Sequence, residues 1–221
     1  MPPFPRVRPV DAGAQALVVP AGTTHTVTAT TGRWGAVVVQ AGGTLRVGSG
    51  DFQLQDLTLA SGAALEATGI ATVRIGGRLA GADDTAVRTA TGTAGRLRVE
   101  VLGTNGGLGL PNDLPAALAL GQRARVHAVL FAPHGTLDLG PTSTSTGALV
   151  AQHIRLGTSA RLQYEDGLQP LPGTGAPLAF ADTFHATEDH VAVVPAEGVL
   201  ANDLDPYAYA PLTAALVRPA R

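Results

Sequence analysis

The sequence predicts an all-β fold: a parallel β-helix, or β-solenoid, followed by a short extended or incomplete β-sandwich tail. Three observations lead there. Short apolar or β-branched runs recur along the chain, small-residue corners separate them, and the corners return at a spacing near 20 residues. A stacked coil has this signature, because each turn buries its inward residues against the next. A β-sandwich is the alternative, but it usually has longer strands and a more aromatic core, and aromatic residues make up only 4% of this chain.

The predicted strands include Ala36-Val37-Val38-Val39, Leu45-Arg46-Val47, Phe52-Gln53-Leu54, Leu57-Thr58-Leu59, Thr72-Val73-Arg74-Ile75 and Leu97-Arg98-Val99-Glu100-Val101. Many alternate apolar and polar, as half-buried strands do. The corners are Ala41-Gly42-Gly43, Gly48-Ser49-Gly50, Ser61-Gly62-Ala63 and Gly76-Gly77. Glycine supplies the positive φ that a tight corner demands. Ala41-Gly42-Gly43-Thr44-Leu45 and Ser61-Gly62-Ala63-Ala64-Leu65 each place leucine at the same offset, and Gly76-Gly77-Arg78-Leu79 continues the series. The second half repeats the theme at Gly135-Thr136-Leu137-Asp138-Leu139, Gly147-Ala148-Leu149-Val150 and Gly157 to Leu162.

Residues 111–125 break the pattern. They read as a loop with a short helix, capped by Asn112 or Asp113 and stopped at Gly121. A Pro/Gly linker over 169–178 divides the chain into a β-solenoid domain, 1–168, and a tail, 179–221, that is richer in acidic residues.

Composition narrows the functions. All 15 basic residues are arginine, and the formal net charge is −2. That balance gives no basic stripe for nucleic acid and no polybasic membrane patch. The absence of cysteine excludes disulfides, thiolate metal sites and cysteine nucleophiles. No apolar run reaches the roughly 18 residues of a membrane-spanning helix. The start, Met1 to Arg6, is not a signal peptide, so a secreted form is expected to begin after its signal or to be cut from a longer chain.

Two resemblances follow from particular residues. Val129-Leu130-Phe131-Ala132-Pro133-His134, Thr146 to Ala151 and Leu162 to Leu168 resemble the β-helical end of a domain of unknown function in bacterial, myxobacterial-type, surface proteins. The likeness covers about residues 1–168. It implies a surface location and no established catalysis. In the tail, Phe180 to Phe184, Thr187-Glu188-Asp189 and Gly198 to Asp205 resemble the start of the cadherin-like, immunoglobulin-like tandem repeats of bacterial adhesins. Those repeats continue with an Asp-Gly-Asp calcium element. Here Asp205-Pro206-Tyr207 departs from it, and the tail is about half of such a domain.

The resemblance makes Asp182, Glu188, Asp189, Asn202, Asp203 and Asp205 the calcium candidates, since Ca²⁺ prefers oxygen ligands. The bland reading is solvated turn acids. The six histidines, His25, His127, His134, His153, His185 and His190, form no HExxH and no tight pair, although His185 and His190 lie near acids. Leu102 to Gly109 is glycine-rich but lacks the Lys-Ser/Thr of a phosphate loop. No Gly-x-Ser-x-Gly elbow is present. Glu66, Asp83, Asp84, Glu100 and Asp138 could pair for glycoside cleavage, but only Trp34, Phe52, Phe131 and Tyr164 are available in the coils as sugar platforms. Thr-x-Thr occurs in 23–31 and 142–146, as in an ice-binding face, yet Leu57-Thr58-Leu59 does not repeat it.

The expected function is a non-catalytic, extracellular or cell-surface structural or adhesive module. Its expected partners are other copies of itself, neighbouring surface-protein domains or cell-surface polysaccharide, with strand addition through the tail as the route to self-assembly. The alternatives are a carbohydrate-binding or carbohydrate-cleaving β-helix and an ice-binding solenoid.

Overall fold

The structure is a computed structural model that describes residues 9–28 and 32–165. The tail and its linker, with the calcium candidates Asp182, Glu188, Asp189, Asn202, Asp203 and Asp205, lie outside the described residues.

Fourteen strands follow in chain order: β1 Leu17–Val19, β2 Thr24–Val27, β3 Arg33–Val39, β4 Thr44–Val47, β5 Gly50–Leu59, β6 Ala64–Ala67, β7 Ala71–Ile75, β8 Leu79–Gly81, β9 Ala86–Thr89, β10 Leu97–Val101, β11 Leu118–Leu120, β12 Arg125–Leu139, β13 Thr144–Leu156 and β14 Arg161–Gln163. Every pairing between them is parallel. The chain is a β-solenoid of about seven turns.

Each turn contributes a rung to three faces. The first face runs Leu17, Val37, Leu57, Leu79, Leu118, Leu137, Ile154. Successive members of this row are 20, 20, 22, 39, 19 and 17 residues apart. The second face stacks β2, β4, β6, β9, the start of β12, the start of β13 and β14. The third stacks the starts of β3 and β5, then β7, β10 and the middles of β12 and β13. Because side chains alternate across a strand, every second residue of each rung faces inward. The inward rows form one core, with Leu45, Leu65, Phe52, Val73, Val99 and Leu130 among its buried members. Burying a leucine or phenylalanine in such a row stabilises the fold by roughly 1.5–3 kcal/mol.

The corner between the first and second faces recurs in all seven turns. One residue there always has a left-handed backbone: Gly22, Gly42, Gly62, Asp84, Arg123, Thr142 and Ser159, with φ between 57° and 69°. The N–H of each of the first six donates to a carbonyl in the corner of the next turn, as Gly42 N–H does to Ser61 at 3.0 Å and Thr142 N–H does to Thr158 at 2.9 Å. The corner is therefore a continuous ladder of its own. Gly76-Gly77 belongs to a different corner, between the third and first faces, and so falls out of phase with Gly42 and Gly62.

The fourth turn is the long one. After β9 it carries a 3-10 turn, Ala94–Arg96, then β10, then a loop over 102–117. The helix expected over 111–125 does not form: the segment is a loop leading into β11 and the start of β12. Asp113 does cap a turn, but in the opposite sense from the one expected. Its Oδ2 accepts from Leu108 N–H at 3.0 Å and Leu110 N–H at 3.1 Å, residues that precede it.

Candidate functional site

The acidic residues that could have paired for hydrolysis are each engaged with a side chain from a neighbouring turn. Glu66 lies on the outside of the second face, between Arg46 and Arg88. Glu100, on the outside of the third face, takes Arg74 Nε at 3.0 Å and Arg98 Nε at 2.7 Å. Arg98 in turn sits 5.6 Å from the centre of the Phe131 ring. Asp84 Oδ1 and Oδ2 accept from Arg123 Nε and Nη2, Asp83 accepts from Gln122, and Asp138 faces Arg155 at 3.4 Å. Burial pushes the Glu66 carboxyl up, but the hydrogen bonds and charges of Arg46 and Arg88 outweigh it and hold the group below its ordinary value. The Arg123 hydrogen bond does the same for Asp84.

The histidines are scattered. His25 occupies an inward position at the N-terminal end of the second face, in register with Leu45, yet is exposed. His127 Nε2 lies 3.1 Å from Glu165 Oε2, which also accepts from Ala94 N–H at 2.6 Å. His134 and His153 are exposed, while His185 and His190 lie outside the described residues. Among the described residues no group of three or more His, Asp or Glu side chains is placed to hold a metal ion. The two Thr-x-Thr pairs, Thr24/Thr26 and Thr144/Thr146, do share the outer columns of the second face. Between them the same column holds Arg46, Glu66, Arg88 and His127.

Two features were not singled out by sequence reasoning. The first is the glycine-rich loop, which is pinned by buried Asn105. Its Oδ1 accepts from Thr136 N–H at 2.8 Å and Ala117 N–H at 3.0 Å, and its Nδ2 donates to Thr136 Oγ1 at 2.8 Å and the Leu110 carbonyl at 2.9 Å. The loop so held presents Leu108, Leu110 and Leu114 to solvent.

The second feature is the C-terminal end of the stack. There β14 pairs with β13 alone among the described residues. Ile154 and Leu156 continue the inward rows of Leu137 and Leu139, which are fully buried, but are themselves 45% and 43% exposed. Leu162, inward on β14, is 52% exposed. Carrying the 20-residue period forward from Leu45 and Leu65 would have marked these positions as inward residues of a last rung.

A family model described as a domain of unknown function, DUF7305, matches residues 21–171. The chain belongs to the DUF7305 family. The match starts at the first corner, before β2, and runs past β14, so the DUF7305 unit takes in the inserted loop and the open end alike. No curated protein and no solved structure matches the chain.

Proposed function

We propose that this DUF7305 chain is a non-catalytic structural or adhesive module of a bacterial surface protein, working outside the cell. The observation that carries the reading is the stack itself: seven left-handed corners in one ladder, with apolar rows that run the length of the coil and emerge uncovered at one end. Such a coil is a spacer whose ends and edges are its natural points of attachment.

The acidic residues support the same reading. A general acid must hold a proton at working pH. Arg46, Arg88 and Arg123 instead stabilise the ionised forms of Glu66 and Asp84. Each of these pairs joins two turns, so its role is to hold the stack in register. In this reading the tail, with its likeness to adhesin repeats, links the coil to neighbouring domains, to further copies or to cell-surface polysaccharide.

Location is tested by placing an epitope tag at the exposed tip of the 102–117 loop and labelling intact and permeabilised cells of the source organism. Labelling of intact cells is the expected result, with loss of cell-to-cell or cell-to-surface adhesion when the gene is deleted. Labelling only after permeabilisation would overturn the reading. Turnover of a polysaccharide by the purified chain would favour the carbohydrate-cleaving alternative.

A further inference from the structure

We infer that the C-terminal end of the solenoid docks a second copy of the same end, the two paired antiparallel across a two-fold axis through β14. The inference rests on the structural reading above and names its partner. The end offers both requirements of an interface. β14 has a strand edge with no partner among the described residues, and Ile154, Leu156 and Leu162 form an apolar surface beside it. An open edge of this kind is a template for another strand.

The choice of partner follows from the two ends. The N-terminal end is finished: Val19 and Val27 are buried, Leu17 and Trp34 are half-buried, and the inward row of Leu45 ends in exposed His25. If copies stacked head to tail, the register of the second face would set Arg161 on Thr24, Leu162 on His25 and Gln163 on Thr26. That arrangement gives Arg161 no counter-charge and sets an apolar residue on a polar one, although Ile154 and Leu156 would meet Leu17 and Val19 acceptably.

The end is complementary to itself. If β14 runs antiparallel to its copy about Gln163, Arg161 falls opposite Glu165 and Leu162 opposite Tyr164, which is 71% exposed. Opposite charges and an aromatic with an aliphatic are the stabilising cross-strand pairs. One surface meeting its own copy closes as a two-fold dimer and does not propagate.

The sequence makes the test clean, because the chain has no cysteine. Gln163→Cys puts one thiol on the proposed axis, where facing residues lie about 4.5–5.5 Å apart between Cα atoms, within disulfide reach. The full chain is expected to be a dimer by light scattering. Oxidised Gln163→Cys is expected to run as a covalent dimer, and Thr24→Cys at the other end is not. Ile154→Arg with Leu162→Arg changes only exposed positions, so it should keep the native circular dichroism while raising the dimer dissociation constant at least 100-fold. A monomer at every concentration would overturn the proposal, as would a polymer that lengthens with concentration, the head-to-tail outcome. Oxidised Thr24→Cys dimers without Gln163→Cys dimers would overturn it too. So would a monomeric Gln163→Cys variant whose introduced thiol resists alkylation, which would mean that the chain's own residues 166–221 occupy the edge. Failure of surface labelling with an intact dimer would count against the surface reading alone.

Discussion

Glu66 receives both donors of Arg88, one turn further along the coil, on a single oxygen: Nε and Nη2 reach Oε2 at 3.0 and 2.9 Å. Arg46, one turn back, does the same to Oε1, with Nε at 2.9 Å and Nη2 at 2.8 Å. One nearly buried carboxylate thus spans three turns. Glu66→Gln keeps the shape and removes the charge, so it should destabilise the fold by about 1–2 kcal/mol at neutral pH. The arginines are partly exposed and can be solvated, which keeps the loss modest. The pH dependence has a definite sign. The folded value is depressed below the ordinary 4.5, so the stabilisation is present above that value and is lost as pH falls through the folded one. Urea titrations of wild type and Glu66→Gln should therefore differ at pH 7 and converge in acid.

Thr142 is a β-branched residue in the left-handed region, with φ of 58°. Such a residue costs roughly 1 kcal/mol where glycine would cost none. Thr142→Gly is expected to raise the melting temperature by a few degrees. Gly42→Val, at the equivalent corner near the other end of the coil and with φ of 64°, is expected to lower stability by about 1–2 kcal/mol. Calorimetry on the two variants checks both directions.

Asn105→Ala should cost about 2–4 kcal/mol, because it leaves the N–H groups of Ala117 and Thr136 without their acceptor inside the protein. It should also free the loop. Amide exchange at Leu108 and Leu110 is expected to accelerate well beyond the global effect, while β6 and β7 follow global stability alone.

Leu65→Ala removes a fully buried side chain from the middle of the second face. Its neighbours in the stack are fixed by the rungs above and below, so the cavity cannot collapse. A loss of about 3–5 kcal/mol is expected from chemical denaturation.

The parallel coil was legible because its first three turns obey strict rules: glycine at the left-handed corner and leucine or valine at fixed offsets from it. From the fourth turn the corner passes to Asp84, Arg123, Thr142 and Ser159, so the glycine signal disappears while the geometry persists. Gly76-Gly77 misled the phase because close packing of backbone, not a left-handed corner, selects glycine there: a Cβ on Gly77 would meet the Gln55 carbonyl oxygen at 2.9 Å. The apparent helix at 111–125 failed because Asn105 and Asp113 take up the loop's backbone groups first. Long-range side-chain knots of this kind leave no periodic trace. The contact of Glu165 with His127 and Ala94 was equally invisible, since it joins residues 38 and 71 positions apart.

The winding of the chain also sets how this coil answers a pull. Its strands run across the stack, so tension applied between the first turn and the last loads the ladders one rung at a time and peels them in sequence. Each ordinary turn would release about 70 Å of chain. The fourth turn, 39 residues against the usual 20, would release nearly twice that. A coil peeled from its C-terminal end would thus yield its long step third, and one peeled from its N-terminal end fourth. The inserted loop makes the direction of unravelling readable from the order of steps in a force trace.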